Sequence, residues 1–267
     1  MKIKNIIINL VIALCCYGCS SPTNTITKNE VTSTNSMFSG NAKIIATAQV
    51  SNSVYQQVRP SSTTFTPLSV EPQENKPVKK IQIPLEGAIA KLYAINKNGT
   101  ETYTNLQTTV NKNGVLEFDN IKEQQLFSIK YTFVGDNNKA LKFEAIINTS
   151  EGEVSITHNE KSNLIKLIFL TYFGDQLAQT ESLSPKQGKK IIDMCIQSSH
   201  QAIDTILESE EKELKPENYV KIGNIYIGEF NQENKNKMDS IVQKINSQKN
   251  IQTIIKNSST IDLSIKN

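Results

Sequence analysis

Two copies of one tetrapeptide constrain this chain most: Asn96-Lys97-Asn98-Gly99 and Asn111-Lys112-Asn113-Gly114. Asn-Gly supplies neighbouring residues that tolerate positive φ, as a two-residue type I′ hairpin turn requires. Each copy stands between strand-like runs, so the pair predicts a β-meander within Pro84–His158. In Leu126–Val134, the residues Phe127, Ile129, Tyr131 and Phe133 share one face, and Ser128, Lys130 and Thr132 the other. In Leu141–Thr149, Leu141, Phe143, Ala145 and Ile147 oppose Lys142, Glu144 and Asn148. Period two with one buried and one wet face is the signature of antiparallel strands. Thr102, Thr104, Leu106, Thr108 and Val110 make a weaker stripe, suited to an edge. Turn residues recur every ten residues or so, which predicts a β-sandwich over residues 81–158.

The run Pro84-Leu85-Glu86-Gly87-Ala88, then Leu92-Tyr93, Gly114 before Val115-Leu116-Glu117-Phe118, and Phe127-Ser128-Ile129 resembles the prealbumin-like modules of bacterial surface proteins. These are the collagen-adhesin B-type repeats and the carboxypeptidase regulatory-like domains. The resemblance rests on turn glycines and core apolar residues, so it implies a fold rather than a function. Some B-type repeats carry an internal Lys–Asn isopeptide bond. The resemblance would place Lys79 or Lys80 and Asn148 near those positions, but Tyr131 or its neighbours stand where the promoting acid belongs. Solvated Lys and Asn on a strand rim is the favoured reading.

Upstream, residues 1–18 read as a targeting segment. Lys2 and Lys4 form a basic start, and Ile6–Leu14 is an apolar run of signal-peptide length, too short for a membrane span. Gly18 precedes Cys19, an arrangement that resembles a bacterial lipobox, with Cys16 in place of the usual aliphatic residue. Cys19 is the expected lipidation site, and the membrane, reached through palmitate-type chains on Cys19, the expected partner. An ordinary secretory signal with incidental cysteines is the alternative. Two or more acyl chains give stable attachment where one does not. The expected location is the cell envelope, periplasmic or surface-exposed. No Asp follows Cys19, which resembles the outer-membrane default of Gram-negative lipoproteins.

Residues 19–80 read as a lipidated N-terminus and a disordered linker rich in Ser, Thr, Asn and Pro. Such a stretch buries too little apolar surface to offset its ordering entropy. Lys43–Val58 is the one part with apolar content, enough for a strand or a short helix.

After His158 the period changes, and residues 159–257 predict a helical bundle. Asn159–Thr180 is apolar nearly all round, as a central buried helix is. Lys166 interrupts the run and argues against a membrane span. Ser184 as N-cap and Pro185 at the first helical position start a second helix, reaching about Leu214. Asn231–Gln248 predicts a third, with Ile251, Ile254 and Ile255 continuing it. Between them Tyr219–Phe230 reads as a loop or a short strand pair. Its Tyr219, Tyr226 and Phe230 either cap the bundle or form a ligand loop. Residues 258–267 read as a flexible tail. The fold class expected is therefore α+β: an N-terminal antiparallel β-sandwich, prealbumin- or Ig-like, followed by a small helical bundle.

The chemistry-bearing residues are few. The only histidines are His158 and His200, and there is no Trp. Once the signal and Cys19 are set aside, Cys195 alone remains, in an apolar helical stripe that suits a buried thiol. Five positions separate Cys195 from His200, which puts them on different faces of one helix and disfavours a dyad. No nucleotide loop, nucleophile elbow or metal-binding spacing occurs, so neither cofactor nor metal is expected. The net charge of +3 includes Lys2 and Lys4, and Arg59 is the only arginine, which disfavours nucleic acid. The expectation is a non-enzymatic lipoprotein in adhesion, assembly or scaffolding. The alternative is a glycan-, peptide- or solute-binding lipoprotein. Its site would be the sandwich–bundle junction or the Tyr219–Phe230 loop. An enzyme would have Cys195 as its only plausible nucleophile.

Overall fold

The computed structural model describes residues 36–59, 82–136, 139–211 and 232–259. Among these residues eight strands come first: β1 (Ser39–Ser51), β2 (Gln82–Pro84), β3 (Ile89–Ile95), β4 (Glu101–Thr109), β5 (Val115–Ile121), β6 (Leu126–Val134), β7 (Ala140–Asn148) and β8 (Glu153–His158). One helical turn, α1 (Asn52–Tyr55), follows β1. Four longer helices follow among the described residues: α2 (Ser162–Gln179), α3 (Pro185–Glu211), α4 (Gln232–Ser247) and α5 (Lys249–Ser259). The fold is α+β, with two four-stranded sheets forming a sandwich.

The first sheet is built on β1. It pairs antiparallel with β5, through Ile44↔Phe118 and Ala46↔Leu116, and with the short β2 at Gln49↔Pro84. It also pairs in parallel with β8, through Ile44↔Val154, Ala46↔Ile156 and Ala48↔His158. The second sheet runs β4-β3-β6-β7, antiparallel throughout. Tyr131, Phe127, Phe143, Ile44, Leu92 and Ile129 are among the largest fully buried side chains of the sandwich.

Three expectations need correction. The disordered linker does not extend through residue 80, because Ser39–Ser51 is the central strand of the first sheet. Its inward positions, Ala42, Ile44, Ala46, Ala48 and Val50, are all buried. The sandwich therefore starts near residue 39, not residue 81. The two Asn-Lys-Asn-Gly turns also differ from type I′. Only the glycines, Gly99 and Gly114, take positive φ, at 77° and 80°. Each glycine amide donates to the first Asn carbonyl, at 2.8 Å for Asn96 and 2.9 Å for Asn111. This is the longer hairpin loop that ends on a left-handed glycine. Only the first loop joins paired neighbours. β5 leaves β4 and crosses to the opposite sheet, because the Gly114 carbonyl accepts from Ala48 N–H at 2.7 Å and hands the chain to β1. The expected meander is a crossover between layers.

The third correction concerns the outer face of β6 and β7, which the alternation predicts to be wet. Ser128 is fully buried and Asn148 is 6% exposed, because helices lie on that face. Lys166 of α2 reaches Ser128 Oγ at 3.0 Å. Asn163 of α2 accepts from the Glu144 amide at 2.5 Å, so the helix also covers part of the β7 edge. The α3 start is as expected: Ser184 and Gln187 form a capping box, with Ser184 N–H donating to Gln187 Oε1 at 3.2 Å. One continuous apolar core runs through both sheets and the helices, including Phe169 and Phe173 of α2 and Ile245 of α4.

Candidate functional site

The lateral side of the sandwich carries a groove of about 400 Å³, a size usual for ligand pockets. It lies where the end of β7, the strand β8 and the first half of α3 meet. Among the described residues, β8 pairs only with β1 and no second strand lies along its other edge. Val154 and Ile156 point inward with their partners Ile44 and Ala46, packed against the core but only partly buried, and both line the groove. Ile196 of α3 faces them across it.

One polar cluster sits at the β7 end. Asn148 Nδ2 donates to Asp193 Oδ1 at 2.9 Å and to the Lys189 carbonyl at 3.3 Å. Lys189 pairs with Asp193 one helical turn along α3. Asn148 Oδ1 is buried with no hydrogen-bond partner among the described residues. A buried acceptor left unpaired costs about 1–3 kcal/mol, so a donor supplied from the groove would be stabilising there.

Behind the groove stands a histidine pair. His158 is 2% exposed, and its Nδ1 lies 2.5 Å from Tyr131 Oη. Burial, reinforced by His200, pulls the His158 imidazole down to about 3. Burial also pushes the Tyr131 phenol well up. Both groups are neutral, so a single proton is shared across the Tyr131 Oη–His158 Nδ1 contact. Nε2 is likewise buried without a partner among the described residues. His200 lines the groove, and burial lowers its imidazole too, against the opposing pull of Asp204. Cys195 is 1% exposed, and burial raises its thiol to about 12. A thiol so placed is protonated and enclosed, unsuited to nucleophilic attack.

A second polar cluster lies under α2. Lys166 contacts Glu101 at 2.5 Å and also Glu144, while Lys130 lies 2.6 Å from Glu101 and 3.6 Å from Glu144. Burial alone would raise the Glu101 carboxyl; hydrogen bonds from Lys130 and Lys166 outweigh it and hold the group below the usual range. Two cations against two anions, closed by a helix, make a docking device rather than an open acid–base site.

The residues singled out in the sequence are placed unevenly. Cys19, Tyr219, Tyr226, Phe230, Lys79 and Lys80 lie outside the described residues. Asn148 is no solvated rim residue: its amide is committed to α3. The groove residues Lys189, Asp193 and Ile156 were not singled out. Their one visible signal is the Lys189–Asp193 spacing on a helix that begins with a strong cap. Among the described residues, no helix is long and apolar enough to cross a membrane. Compared with known proteins, the chain matches no family model, no curated protein and no solved structure.

Proposed function

We propose that this chain is a non-enzymatic, lipid-anchored lipoprotein of the bacterial envelope, held through Cys19, that captures an extended peptide strand in the β7–β8–α3 groove. The observation that carries the reading is the β8 edge, unpaired among the described residues, beside partly buried Val154 and Ile156 at the groove. Strand addition to such an edge takes affinity from main-chain hydrogen bonds and specificity from alternate side chains. The groove stands at the sandwich–helix junction, which favours binding of a peptide over a purely mechanical tether. Scaffolding or assembly in the envelope follows from an anchored module that grips another chain.

The prealbumin-like reading of the sandwich gains support from strand order. An immunoglobulin sandwich places its first two long strands side by side. Here β1 neighbours β5 and β8, and β3 belongs to the opposite sheet.

Metabolic labelling with a fatty-acid probe tests the anchor. The chain should take up label and sediment with membranes, and Cys19→Ser should do neither. Equal labelling of both, or of neither, refutes the anchor.

A further inference from the structure

We infer that the β7 end of the groove is a carboxamide subsite, where a glutamine or asparagine side chain of the captured strand donates to Asn148 Oδ1 and to the Asp193 carboxylate. The inference rests on the reading of the groove as a strand-binding slot and names the side chain that the slot selects.

The unmet acceptor points to a donor. Asn148 is 6% exposed and lines the groove. Its amide nitrogen donates to Asp193 Oδ1 and to the Lys189 carbonyl. Exchanging nitrogen and oxygen would set an acceptor against two acceptors, so the network fixes which atom is which. Oδ1 is then left buried, without a partner among the described residues. The Lys189 side chain, 26% exposed, can rotate to admit a donor from the groove.

Charge selects the kind of donor. Among the described residues, the ionisable side chains that line the groove are Lys189, Asp193 and His200. Lys189 pairs with Asp193, and burial lowers the His200 imidazole, which keeps it neutral. The lining is therefore balanced. An arginine or lysine placed there would bring a cation with no anion of its own, and burying an unpaired charge is costly. A neutral donor avoids that cost. A hydroxyl has one proton and would answer Asn148 alone. A carboxamide has two N–H donors and one acceptor in a single plane. Asp193 takes one bond from Asn148 and one ion pair from Lys189, its side chain is 44% exposed, and a carboxylate has about four acceptor sites. It can accept the second amide proton. The Lys189 ammonium has three donors, enough to serve Asp193 and the incoming carbonyl together.

Fluorescence anisotropy on the full chain tests this with four labelled peptides of alternating valine and threonine. They are identical except for one inward position, which carries Gln, Leu, Glu or Arg. The Gln peptide should bind at least about tenfold tighter than the other three, since it alone satisfies the buried oxygen without adding charge. The Leu peptide should still bind, through main-chain bonds. Asn148→Leu should abolish the preference for Gln and leave the Leu peptide unchanged. A second readout needs no variant to fold: in proton–nitrogen correlation spectra, the Asn148 side-chain amide signal should move with the Gln peptide and not with the Leu peptide. Equal affinity for Gln and Leu overturns the carboxamide subsite and leaves strand capture standing. Tightest binding of Arg or Glu overturns it as well, as does a Gln preference that persists in Asn148→Leu. No binding of any of the four peptides removes the strand-binding slot together with its subsite.

Discussion

The Lys166 ammonium lies 2.5 Å from Glu101, joining α2 to the strand at the far side of the second sheet. The lysine is 8% exposed, so water does little to solvate it. Removing one member of a buried ionic cluster leaves its partners uncompensated, which costs about 3–5 kcal/mol when burial is complete. Glu144 keeps a third of its side-chain surface in water, so a smaller loss applies here. Lys166→Met should lower unfolding free energy by about 2–3 kcal/mol in urea titrations, from the same cluster cost after solvent screening. Lys166→Met with Glu101→Gln should recover part of it, because the surplus negative charge is gone. A single variant within about 0.5 kcal/mol of the parent, the spread of ordinary surface changes, would show that the cluster does not seat the helix.

His158 makes stability depend on pH. Its imidazole titrates near 3 in the fold, against an ordinary value of 6.5. Above pH 6.5 both folded and unfolded chains hold it neutral, so its full contribution is present. As pH falls from 6.5 toward 3, the unfolded chain takes up a proton that the fold excludes, and stability drains away. At pH 5 the loss is about 2 kcal/mol relative to pH 7.5, by linkage at 1.36 kcal/mol per pH unit. Comparing urea unfolding of the native chain and His158→Gln at the two pH values isolates this effect. Parallel pH dependence in both would mean that His158 is solvated in the fold.

Legibility of the fold from sequence followed the size of the side chains. β6 and β7 alternate large aromatic and aliphatic residues with polar ones, and their inner faces were read residue for residue. β1 alternates as well, but through Ala42, Ala46 and Ala48, whose small side chains weigh little beside the surrounding Ser, Thr and Asn. Its partners β5 and β8 are remote in sequence, so no local turn announces the pairing. The wet face assigned to Ser128 and Asn148 failed for a related reason. A polar residue looks the same in sequence whether water or a helix satisfies it, and here Lys166 and Asp193 do. The residues that line the groove share no local signal in the sequence. Asn148, Ile156 and Asp193 come from three elements that only the tertiary fold brings together.

Cys195 offers a test of how closed the helical layer is. The thiol is 1% exposed and raised to about 12 by burial. With Cys15, Cys16 and Cys19 replaced by serine, it is the only thiol in the chain. A chromogenic disulfide reagent at pH 8 should then react negligibly with the folded protein and to completion in denaturant. Rapid reaction of the native fold would place Cys195 on a solvent path and reopen its candidacy as a nucleophile.

Two glycines should respond oppositely to alanine. Gly174 sits within α2 with no atom within 4 Å of a prospective Cβ, and its φ is not positive. Glycine in a helix interior is less favourable than alanine by about 0.5–1 kcal/mol, because it has more backbone freedom to lose. Gly174→Ala should therefore stabilise the protein by about that amount. Gly135, at the β6–β7 turn, would place a Cβ 2.2 Å from the Val58 carbonyl oxygen. That carbonyl also accepts from Asp136 N–H at 2.8 Å, the contact that ties the residues after α1 to this turn. Backbone cannot yield as a flexible side chain can, so Gly135→Ala should cost about 1–3 kcal/mol, as overpacking does. Thermal unfolding reads both: a higher midpoint for Gly174→Ala and a lower one for Gly135→Ala. Equal midpoints would mean that the Val58 segment moves freely away from the turn.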